Sequence, residues 1–116
     1  MIDKANGPAS GLVIGLAELL AVPYILETSS VLAAGGRWVR RAEFIELAGC
    51  VAESESIVEA IDAADRLRVR ILLDLWVSGA ALDPPRPPLG PYDLDAELER
   101  LGLRAEYAAA LTMRRR

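Results

Sequence analysis

Residues 23–50 read PYILETSSVLAAGGRWVRRAEFIELAGC, and whether this quarter of the chain is helical or extended decides the fold. Pro at a first helical position and Gly just past a last one are the favoured punctuation of a helix. Pro23 and the Gly35-Gly36 pair stand at such places. A helix is therefore expected from Pro23 to the two glycines. A further helix is expected after them, because Trp38, Ala42 and Ile45 fall at i, i+4 and i+7 and Gly49 sits where a left-handed cap belongs. Arg37, Arg40 and Arg41 then crowd a first turn, the end of a helix dipole that disfavours cations.

Upstream, Gly11 to Leu26 supplies sixteen mostly apolar residues interrupted by Glu18 and Pro23. About 20 uninterrupted ones are needed to cross a bilayer. The start MIDKANGPAS balances one Lys with one Asp and no small-residue cleavage site follows, so neither a membrane span nor a secretory signal is expected. Proline ends helices at the residue before it, which places a first helix over about Ser10 to Ala21. Gly7, Gly11 and Gly15 recur every four residues, and Gly11 with Gly15 would share a helical face suited to close packing by a neighbouring element or a second subunit.

Downstream, Ser56 followed by Glu59 forms a capping box that opens a long central helix from about Ser56 to Val77. Ile57, Ile61, Ala64, Ile71 and Leu75 make its apolar stripe, and Asp62 with Arg66 is a favourable i,i+4 pair. Trp76, in the nearly all-apolar run ILLDLWV, reads as a core or interface anchor. Residues 81–92 hold five of the seven prolines; such a run extends as a stiff strap, with Leu89 and Tyr92 tacking it down. Residues 93–116 read as a helical hairpin. Asp93 caps Leu94, Leu98 and Leu101 and Gly102 stops them, whereas Leu103, Tyr107 and Leu111 carry the last helix to Arg114–Arg116. No strand is expected, since the extended candidates GLVIG and RVRILLDLWV lie inside better helical patterns. The fold class is thus all-α: one domain, residues 1–116, of five or six helices around a long central one.

Composition narrows the chemistry. The hydrophobic share is 53% before the nine Gly are counted, above the roughly 45–50% that includes them in soluble domains. This excess points to a partner surface. Histidine is absent, which removes the commonest general base and metal ligand. Cys50 is the only cysteine; with no disulfide to form, a cytoplasmic setting or a particle assembled there is expected. Twelve Arg stand against one Lys beside nineteen Ala, a bias of GC-rich bacterial or phage genomes. No phosphate loop, dinucleotide fingerprint, CxxC or HExxH occurs, so no catalytic residue, cofactor or metal is expected.

These features point to a noncatalytic interaction or assembly module, a small adaptor of a larger bacterial or phage complex, bound to a protein partner or to itself. Gly11, Gly15, Arg37, Trp38, Arg40, Arg41, Trp76 and Tyr92 are its candidate contacts. A helix-turn-helix transcriptional regulator built on Arg37–Arg41 is the second reading. It is disfavoured by the net charge of −4 and because Glu53, Glu55, Glu59 and Asp62 would face the phosphates. A small-molecule-binding domain or a carboxylate-based enzyme is the third.

Overall fold

The computed structural model describes residues 15–80 and 82–113, and within them the chain is mixed α/β. Its elements are α1 (Leu16–Leu20), β1 (Leu26–Leu32), β2 (Trp38–Phe44), β3 (Val51–Ser54), α2 (Ile57–Ser78), α3 (Leu94–Leu101) and α4 (Arg104–Met113). The all-α bundle of five or six helices is corrected to four described helices and a three-stranded antiparallel sheet ordered β1-β2-β3. Both helices expected across residues 23–50 are strands. Thr28, Ser29 and Ser30 in succession are poor helix formers, because hydroxyl side chains compete for backbone partners and Thr is β-branched. The i, i+4, i+7 spacing of Trp38, Ala42 and Ile45 concealed a period of two: Ala42 and Phe44 are buried whereas Arg41 and Glu43 are partly exposed.

The glycines in this region carry the geometry expected of them in other elements. Gly35 and Gly36 adopt φ of 88° and 81° in the hairpin turn, closed by Ala33 N–H to Arg37 C=O at 2.7 Å. Gly49, at φ 79°, belongs to the turn from β2 to β3, closed by Phe44 N–H to Cys50 C=O at 2.9 Å. Left-handed backbone marks a turn as readily as a helix end.

The long helix forms where its cap predicts. Ser56 accepts from Glu59 N–H at 3.3 Å. The Glu59 carboxylate takes the Ser54 hydroxyl at 2.8 Å, and Ser54 in turn accepts from Ser56 N–H at 3.3 Å, so the box closes through β3. The apolar stripe is rotated from the expected one: Ala60, Ala64, Val69, Leu72, Leu73 and Trp76 are buried, and Ile57 is exposed. Asp62 and Arg66 do not pair with each other in the structure. Asp62 meets Arg100 at 2.8 Å and Arg66 donates to Leu101 C=O at 3.1 Å, so both hold α3.

Two apolar clusters share α2. One joins its second half to Leu16, Leu19 and Leu20 of α1, Leu98 and Leu101 of α3, Leu103, and Ala110 of α4. The other places Ala60 and Ala64 against Ala42, Phe44 and Cys50 under the sheet. Residues 82–93 form no helix or strand. The Leu89 side chain is exposed, and the strap is held instead by Leu89 N–H to Ala21 C=O at 2.9 Å and by Arg86, which donates to Pro23 C=O at 2.7 Å and makes a two-pronged pair with Glu46 at 2.8 Å. No helix among the described residues is long and apolar enough to cross a membrane.

Candidate interaction surface

Side chains alternate between the faces of a sheet. Register then assigns Leu26, Thr28, Ser30 and Leu32 of β1 and Trp38, Arg40, Ala42 and Phe44 of β2 to one face. Helix α2 covers the Ala42 and Phe44 end of that face. The other end runs beyond the helix: Leu32 is 60% and Trp38 is 67% exposed, and the two are direct cross-strand partners. Val58, in the first turn of α2, is 64% exposed. A large aromatic beside a leucine, uncovered at a hairpin tip, is the kind of surface that docking partners fill.

Arginines surround this tip, and each is engaged within the chain. Arg37 pairs with Glu55, Arg40 donates to the Ser30 hydroxyl at 2.5 Å, and Arg41 lies 3.7 Å from both Glu43 and Glu53. Arg37, Trp38, Arg40 and Arg41 are thus brought together, on a hairpin rather than a helix. The helix-turn-helix arrangement is removed, because the chain around Gly49 connects two strands.

The other candidate contacts lie elsewhere. Gly15 is the N-cap of α1, its N–H donating to Glu18 Oε1 at 2.9 Å; a Cβ there would come within 2.9 Å of that same oxygen. Gly11 lies outside the described residues. Trp76 is in the core, 8% exposed, within the helical cluster. Tyr92 is half-buried in a separate cleft of about 200 Å³ with Tyr24, Asp65, Arg68 and Glu97.

Arg68 organises that cleft. Only 6% exposed, Arg68 donates to Asp65 at 2.8 Å and to Leu20 C=O at 3.2 Å and lies 5.7 Å from the Phe44 ring centroid. Burial raises the phenol pKa values of Tyr24 and Tyr92, with Arg68 opposing the rise in both. Its acids are already neutralised: Arg100 bonds Asp65 and Glu97 at 2.7 Å each, together with Asp62. Cys50 is buried and donates to Ala64 C=O at 3.5 Å; burial raises its pKa, away from the thiolate a nucleophile requires. No cluster of three or more His, Cys, Asp or Glu among the described residues is arranged to hold a metal.

Sequence reasoning missed Leu32, Arg68 and Arg86. Leu32 was legible only if β1 was read as a strand, and no local pattern singles out Arg86. Comparison of the chain with protein-family models, curated proteins and solved structures gives no match.

Proposed function

We propose that this chain is a noncatalytic protein-interaction module of a reducing compartment whose docking surface is the β1–β2 hairpin. The carrying observation is the uncovered pair Leu32 and Trp38 on the face that α2 buries elsewhere. With Arg37 and Arg41 matched by Glu55, Glu43 and Glu53, the tip is a poor polyanion site, because affinity for nucleic acid comes from cations that displace phosphate counterions. The Arg68 cleft is below the roughly 300 Å³ at which ligand pockets usually begin, and its carboxylates are held by arginines.

The test places a photo-crosslinking amino acid at Trp38 or, as a control, at exposed Glu99 of α3, in cells expressing the protein. Covalent protein adducts identified by mass should form from position 38 and not from 99. Absence of any adduct specific to position 38 would overturn the reading.

A further inference from the structure

We infer that the partner of this hairpin is a second copy of the same chain, added edge to edge along β1. The inference rests on the docking role of the hairpin and goes beyond it by naming the occupant and the register.

Backbone parity comes first. Ile45 N–H bonds Ile25 C=O, and Ala33 N–H bonds Arg37 C=O. In an antiparallel pair, residues that bond to the partner strand alternate with residues whose N–H and C=O point away. The odd-numbered residues from 25 to 33 therefore face β2. Leu26, Thr28, Ser30 and Leu32 direct their backbone groups to the open side. The opposite edge offers less: Phe44 N–H bonds Cys50 C=O, so only Val51 and Glu53 point outward from the four residues of β3.

Long edges are normally guarded by Lys, Pro or a bulge. β1, LETSSVL, has seven residues, contains no Lys or Pro and carries one charge, Glu27. It lies at the end of the strand order with β2 as its only strand neighbour among the described residues.

The side chains then select a register. A two-fold axis through Ser29 pairs Leu26 with Leu32, Glu27 with Val31 and Thr28 with Ser30 of the second copy, and uses all seven residues. The outward backbone groups of each strand meet outward groups of the other, and neither Glu27 opposes its own copy. Extended through the observed β1–β2 register, one face gains the continuous row Phe44, Leu26, then Leu32 and Trp38 of the second copy, and the symmetric row beside it. The exposed Leu32 thus gains an apolar cross-strand neighbour in Leu26 of the second copy, with its own Trp38 next to it in the same row. Moving the axis to Thr28 sets Leu26 against Ser30 and leaves Leu32 unpaired. The product is a six-stranded sheet with both α2 helices on the same face.

The experiment is light scattering over a concentration series, with two variants chosen from this geometry. Thr28→Pro removes an outward N–H and no β1–β2 bond, a place where an edge strand tolerates proline. Ser29→Cys puts a thiol on the axis, where a non-hydrogen-bonded pair brings Cα atoms to about 4.5 Å, inside the range a disulfide spans. The expected result is a concentration-dependent dimer, weakened roughly tenfold or more by Thr28→Pro with an unchanged circular dichroism spectrum. Ser29→Cys should be trapped as a covalent dimer by mild oxidation, whereas Glu27→Cys should not. A wild-type monomer at every concentration would overturn the inference, as would a dimer that folded Thr28→Pro leaves intact or that Ser29→Cys does not trap. Should Thr28→Pro fail to fold, Ser29→Cys decides alone. A monomer that still gives adducts with another protein from position 38 defeats the second copy and spares the docking role; loss of those adducts defeats the docking role itself.

Discussion

Glu46 and Arg86 are forty residues apart and carry the one two-pronged ion pair between the strap and the turn that follows β2. The guanidinium, with Ile25 N–H at 3.0 Å, holds the Glu46 carboxyl at about 2 against an ordinary 4.5. A carboxylate whose pKa is lower folded than unfolded stabilises the fold above its unfolded pKa and loses that contribution as pH falls through its folded one. The support is therefore complete above about 4.5 and lost between there and about 2. Glu46→Gln should lower the urea midpoint at neutral pH and flatten its decline over that acid window. Equal wild-type and variant slopes from pH 4.5 to 2 would show that another group sets the acid limb. None of this could be read from the sequence, because an ion pair across forty residues follows from topology and no local pattern encodes it.

Elements were legible where a side chain closes them locally and obscure where only distant packing decides. Ser56, Asp93 and Gly102 act within one turn of their helices: Asp93 accepts from Ala96 N–H at 3.1 Å and Gly102 takes φ 73°. Their signals survive in the sequence. The Gly35-Gly36 turn is a local marker for β1 and β2 as well, yet it reads equally as a helix stop, and only the contact of β2 with α2 separates the two readings. Three alanines make that contact. Ala42, Ala60 and Ala64 are each 0% exposed, and their small size lets helix and sheet approach closely. As small residues, these alanines are what the two layers require. Ala64→Leu should accordingly destabilise the protein by about 1–3 kcal/mol, the usual effect of forcing methylenes into a filled site, seen as a lower urea midpoint with an unchanged slope. A neutral effect would mean that the layers have slack the structure does not show.

At the scale of the whole molecule, the two apolar clusters could behave as two folding units, one helical and one under the sheet, were they not joined through α2. A 22-residue helix is about 33 Å long, and this one contributes Ala60 and Ala64 to one cluster and Val69, Leu72, Leu73 and Trp76 to the other. Arg68 stands at the junction, reaching Leu20 of α1 on one side and Phe44 of β2 on the other. Opening either cluster would strip partners from a buried cation, a strongly unfavourable change. The clusters should therefore unfold together. A probe exists for each: Trp76 fluorescence in a Trp38→Phe background reports the helical cluster, and the Cys50 thiol, 1% exposed, reports the sheet side through its reaction with a thiol reagent. Against urea, the loss of Trp76 burial and the onset of Cys50 labelling should share one midpoint, as a two-state transition requires. Labelling of Cys50 at lower urea than the Trp76 transition would mean that the sheet opens first. In that case α2 and Arg68 would not couple the halves, and the hairpin would have to be treated as a separately mobile docking arm.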